Sequence, residues 1–74
     1  MAENDSINAD LTSKLFADPV FAVQEPRRIE GKVVHELLSE YFQDEEEARA
    51  VLAYMRAEHP QAELWKYTPV ITKK

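Results

Sequence analysis

Lys32–His59, KVVHELLSEYFQDEEEARAVLAYMRAEH, is the stretch whose reading decides the fold. Asp44 has the profile of a helix N-cap, and Glu47, three residues on, offers the reciprocal partner of a capping box. Ala48, Val51, Leu52 and Met55 then form one apolar stripe. Acids crowd the first turn and Arg56 sits in the last, as the helix dipole prefers. Pro60 stops the run, so the spacing predicts a helix over 44–59. Lys32–Phe42 is harder to read. Val34, Leu37, Leu38, Tyr41 and Phe42 follow the helical i, i+3, i+4, i+7, i+8 template, whereas at period two Val33, Leu37 and Tyr41 share a face with His35 and Ser39. One long helix would link Val34, Tyr41, Ala48 and Met55, which are spaced by seven. Glu45 falls where the Leu38 and Leu52 row should continue, however, and an N-cap at Asp44 requires non-helical backbone there. A strand ending at Tyr41-Phe42 is the expected reading; the long helix is the alternative.

Working outward, Ala62–Thr72 (AELWKYTPVIT) alternates as a strand. Leu64, Lys66, Thr68 and Val70 face one way, Glu63, Trp65, Tyr67 and Pro69 the other. Pro69 lacks an N–H and belongs on an edge or at a bulge. Val20–Val23 is a short apolar run closed by Pro26, the pattern of an edge strand. Pro26–Gly31 (PRRIEG) holds the only glycine and the Arg27-Arg28 pair, marking a turn. Asp10 is placed to cap a helical turn carrying Leu11, Leu15 and Phe16, ended by Asp18-Pro19. Residues 1–9 read as a disordered acidic tail and residues 10–74 as one small domain. The fold class expected is α+β: one main helix packed on a small antiparallel sheet.

With 74 residues the chain forms one domain at most, and a domain this small buries only about 60% of its unfolded surface. It has no cysteine, hence no disulfide framework and no thiolate chemistry, and a reducing cytosol suits it. Met1–Ser6 has neither the basic start nor the apolar core of a signal peptide, and no run approaches the length that crosses a bilayer. A soluble protein without a membrane partner is expected. The net charge of −5 has the wrong sign for wrapping duplex nucleic acid. Acids concentrate in 31–59, as Glu36, Glu40, Asp44, Glu45, Glu46, Glu47 and Glu58 against Lys32, Arg49 and Arg56. After His59 only Glu63 opposes Lys66, Lys73 and Lys74.

Catalytic patterns are absent from this reading. His35-Glu36-Leu37-Leu38-Ser39 begins like a zincin motif but lacks the second histidine, so no metal or cofactor is expected. His59 suits a helix C-terminus on dipole grounds. Ser6, Ser13 and Ser39 lack a nucleophile-elbow context, and no small-molecule substrate is implied. Asp44–Glu47 serve capping and the dipole, although Glu45 and Glu46 also offer a patch for a basic partner. Trp65-Lys66-Tyr67 is the most informative cluster. Its rings are either core or an exposed platform which, interleaved with Lys66 and backed by Arg27 and Arg28, would suit a protein hot spot or single-stranded RNA.

Glu40–Met55 (EYFQDEEEARAVLAYM), continued by the Pro-terminated connection and Ala62–Val70 (AELWKYTPV), resembles small phage-encoded proteins that bind host bacterial RNA polymerase, the transcription inhibitors and antiterminators of T7-type and Xanthomonas phages. The resemblance covers about half the chain. It implies a non-catalytic, monomeric regulator in the host bacterial cytoplasm that inhibits initiation or suppresses termination. By that analogy the acidic helix start (Glu45, Glu46) meets basic polymerase surface, while Arg27, Arg28, Trp65, Lys66 and Tyr67 supply cationic and hydrophobic anchors. Alternatives are an RNA-binding module and an acidic, nucleic-acid-mimicking inhibitor of a defence nuclease.

Overall fold

The cap at Asp44 divides the chain as the sequence requires. In the computed structural model, which describes residues 7–70, Asp44 is extended (φ −94°, ψ 116°) and its carboxylate accepts the Glu46 N–H at 3.0 Å. The cap bond thus reaches Glu46, one residue short of the expected box partner Glu47. Helix α1 spans Glu45–Met55 and buries Ala48 and Leu52. It ends earlier than His59. Arg56 lies at its C-cap, and the Arg56 guanidinium donates from Nε and Nη2 to the Ala62 carbonyl at 3.1 and 3.0 Å, fixing the chain reversal into the last strand.

Four strands accompany the helix: β1 (Ile7–Ser13), β2 (Val20–Ile29), β3 (Lys32–Leu37) and β4 (Glu63–Pro69). They form one sheet in the order β1-β4-β2-β3, with α1 on one face. The α+β class with a single helix on a small sheet is as the sequence predicts. The sheet is mixed, however: β2 runs antiparallel to β3 and β4, whereas β1 is parallel to β4.

The ambiguous segment is a strand. After Leu37 its path loosens and rejoins β2 at Phe42, where Phe21 and Phe42 exchange backbone bonds of 2.6 and 2.8 Å. Between these points the Leu38 N–H bonds the Val23 carbonyl at 2.8 Å, and the Val23 N–H is accepted by the Ser39 hydroxyl at 2.9 Å. A side chain here replaces a ladder carbonyl and keeps a buried donor satisfied.

Two expectations are corrected. β2 is not an edge strand closed by Pro26; it lies between β4 and β3 and runs ten residues through the proline. Phe21 and Val23 point their backbone groups toward the β3 side, so alternation turns the Pro26 nitrogen to the opposite flank. Pairing with β4 has already ended there, at Gln24–Glu63, and no ladder bond is lost. The second correction concerns Asp10–Phe16. Instead of a capped helical turn, Leu11 and its neighbours belong to β1, which takes in residues 7–9 of the expected tail; residues 1–6 lie outside the described residues. An isolated helical turn is unstable, whereas the flank of β4 offers a full row of backbone partners, and the Thr68 hydroxyl adds a 2.9 Å bond to the Asp10 carboxylate. Pro69 falls at the end of β4, opposite Ser13. At the hairpin tip Glu30 and Gly31 both have positive φ (51° and 82°), the backbone of the tight two-residue turn that matches strand twist.

The core is thin. Phe21, Val23, Ala48, Leu52, Ala62 and Leu64 are buried between helix and sheet, flanked by Ile7, Leu38, Phe42, Val51 and Met55. Leu52→Ala should cost about 2–5 kcal/mol, a large fraction of the whole stability of so small a domain. Ser39→Ala, which strands the Val23 N–H, should cost about 1–3 kcal/mol. Urea unfolding followed by circular dichroism measures both.

Candidate docking face

Side chains alternate across a strand and directly paired residues share a face, so the register sorts the sheet. Phe21, Val23 and Leu64 point to α1. The far face therefore takes Val20, Ala22, Gln24, Pro26 and Arg28 from β2, with their partners Tyr67, Trp65 and Glu63 on β4 and Leu37, His35 and Val33 on β3. Leu11 joins it opposite Tyr67.

Rings gather in two groups on this face. Tyr67 lies 5.7 Å from Tyr41 and 6.0 Å from Phe16, and Phe16 lies 4.8 Å from Tyr41, so two connecting segments fold their aromatics onto β4. His35 and Trp65 meet at 4.4 Å. Polar ends of the rings are satisfied: the Trp65 Nε1–H donates to Glu63 at 3.0 Å, and the Tyr67 hydroxyl accepts from the buried Gln24 amide. Trp65 and Tyr67 are half-buried and stand apart from the helix-side core. Leu11 (37%), Leu37 (43%), Tyr41 (44%) and Val33 (55%) expose much of their apolar surface around them. The result is a contiguous aromatic and aliphatic surface with Arg28 at its margin.

The candidate residues read from sequence do not form one patch. Trp65, Tyr67 and Arg28 share the far face. Lys66 turns to the helix side, its Nζ 5.9 Å from the Phe21 ring centroid. Arg27 also turns that way and pairs with Glu36, whose hydrogen bond and charge raise the arginine pKa further above its usual value. Glu45 is held by Arg49 one helical turn on, at 2.6 and 3.0 Å, and Glu46 is exposed beside it. Sequence reasoning missed Phe16, His35, Leu37 and Tyr41 as parts of the face. The period-two reading of Lys32–Phe42 carries the signal for the last three; Phe16 has none, because its ring partners are distant in sequence.

Among the described residues there is no group of three or more histidine, cysteine or acidic side chains arranged to hold a metal ion, and no helix is long and apolar enough to cross a membrane. The His59 Nδ1 approaches Glu25 at 3.3 Å, an ion pair when the imidazole is protonated. Comparison with protein-family models, with curated proteins and with solved structures finds no match.

Tyr67→Phe removes the acceptor of the buried Gln24 amide and should cost about 1–3 kcal/mol. That lowers the thermal midpoint by at least about 4 °C for a domain of this size. Tyr41→Ser, at a half-exposed ring, should cost less. Thermal melts monitored by circular dichroism compare the two variants.

Proposed function

We propose that this protein is a non-catalytic, phage-encoded transcription regulator that docks stoichiometrically on bacterial RNA polymerase, in the bacterial cytoplasm, through the sheet face opposite α1. The observation that carries the docking half is the face itself, which no helix among the described residues covers, with its two ring groups, Trp65 with His35 and Tyr67 with Tyr41, and Leu11, Val33 and Leu37 around them. Clustered aromatics rimmed by aliphatics and one arginine have the composition of an interface hot spot. The polymerase half is supported by the resemblance of the Glu40–Met55 passage to phage polymerase-binding proteins.

Binding is the mechanism: affinity for one polymerase conformer over another shifts their populations, so that initiation is inhibited or termination suppressed. With the far face docked, the acidic start of α1 points away from the contact. Glu46 and Glu47 then place negative charge where it repels nucleic acid phosphates approaching the neighbouring polymerase surface.

Mixing the protein with purified bacterial RNA polymerase should give a stoichiometric complex on gel filtration, together with lost promoter initiation or terminator read-through in single-round transcription. Leu37→Glu and Tyr41→Glu, both at exposed positions, should each weaken binding at least about tenfold, or about 1.4 kcal/mol, with an unchanged circular dichroism spectrum. No complex at micromolar polymerase sinks the proposal, and full affinity in both variants moves the contact off this face.

A further inference from the structure

β3 ends the sheet, all six of its residues are exposed, and its outer flank has no strand neighbour among the described residues. The backbone groups presented on that flank follow from the inner one. Phe21 and Val23 of β2 direct theirs toward β3, so the inward residues of β3 are Glu36, Val34 and Lys32, paired with Glu25, Arg27 and Ile29. Ile29–Lys32 closes the tight turn, where a bonded pair is expected. Val33 and His35 therefore point their N–H and C=O groups outward, with no partner among the described residues.

We infer that this flank is a self-complementary interface through which two copies of the chain pair β3 to β3, antiparallel, about a two-fold axis at Val34, with Lys32 of each copy opposite Glu36 of the other. In that register Val33 of one copy faces His35 of the second, and each such pair exchanges both backbone bonds. Val34 meets Val34 on the helix-side face. The two Lys32–Glu36 pairs flank it symmetrically, as an isologous contact demands. Moving to the next register that keeps the bonding parity sets Glu36 against Val34 and removes both charge pairs. Charges on an edge strand ordinarily deter pairing; here each meets its opposite. The other edge is the contrast. Full antiparallel overlap of β1 with a second β1 brings Asp10 against Asp10, so that flank repels its own copy.

The inference is independent of the polymerase reading and is tested on the protein alone. Sedimentation equilibrium of the full chain should show a concentration-dependent mass rising toward twice 8.6 kDa. Lys32→Glu places like charges opposite each other in both pairs, and so does Glu36→Lys. Each variant alone should dimerise at least about tenfold more weakly, since like charges directly across strands are destabilising. Mixed in equal amounts, the two variants restore both attractive pairs and should form a heterodimer within about threefold of the wild-type affinity, a result that misfolded variants would not give. A wild-type chain that stays monomeric up to millimolar concentration overturns the inference. So do single variants that dimerise like wild type, or a mixture that fails to associate.

Discussion

One helix cannot cover two faces of a sheet, and most of what distinguishes this molecule follows from that shortage. The chain places its single helix where β2 and β4 bury Phe21, Val23 and Leu64, and the molecule is only 21 Å across its thinnest dimension, room for about two layers of secondary structure. Nothing among the described residues supplies a third. The far face must be apolar enough to let the central strands pack, yet among the described residues it is side chains from Phe16 and Tyr41 that shield it. Those two rings and the Gln24–Tyr67 hydrogen bond take the place of a second helix.

The thin core also explains why the polar details matter. Gln24 and the Val23 N–H lie in the middle of the sheet, where an unmade hydrogen bond is expensive; each has a side-chain partner from a distant part of the chain. Pro26 is tolerated because β2 changes neighbours along its length, pairing with β4 up to Gln24 and with β3 from Gln24 onward. The same handover pushes the β2–β3 hairpin beyond the helix. Ile29, Val33 and Val34 are exposed there, and the edge of β3 stands clear.

These features were legible in the sequence to different degrees. The helix was, because capping, dipole and apolar spacing agree over Asp44–Met55. The β3 assignment followed from the cap, which forbids helical backbone at Asp44. β4 was visible by alternation. β1 was not, because its pairing is parallel and joins residues that lie over fifty positions apart, and Asp10 followed by Leu11, Leu15 and Phe16 imitates a helical turn. The central place of β2 was hidden by Pro26, whose local meaning depends on where a distant strand stops. The aromatic face was half visible: Trp65 and Tyr67 stand out, whereas the contacts with Phe16, His35 and Tyr41 exist only once the sheet order is known.

That sheet order also bears on the proposed class of partner. In sequence, Trp65-Lys66-Tyr67 and Arg27-Arg28 interleave rings with cations, the composition suited to stacking bases while neutralising their phosphates. The period of two separates them: Lys66 and Arg27 turn to the helix side, where Phe21 and Glu36 engage them, and the rings turn to the other. Of the cations flagged in the sequence, only Arg28 is left on the ring-bearing face, and Glu63 is bonded to the Trp65 indole there. Single-stranded nucleic acid binding draws much of its affinity from phosphate contacts. A face with rings but little positive charge, on a chain of net charge −5, offers apolar contact without that attraction. That composition supports the proposed protein partner over nucleic acid.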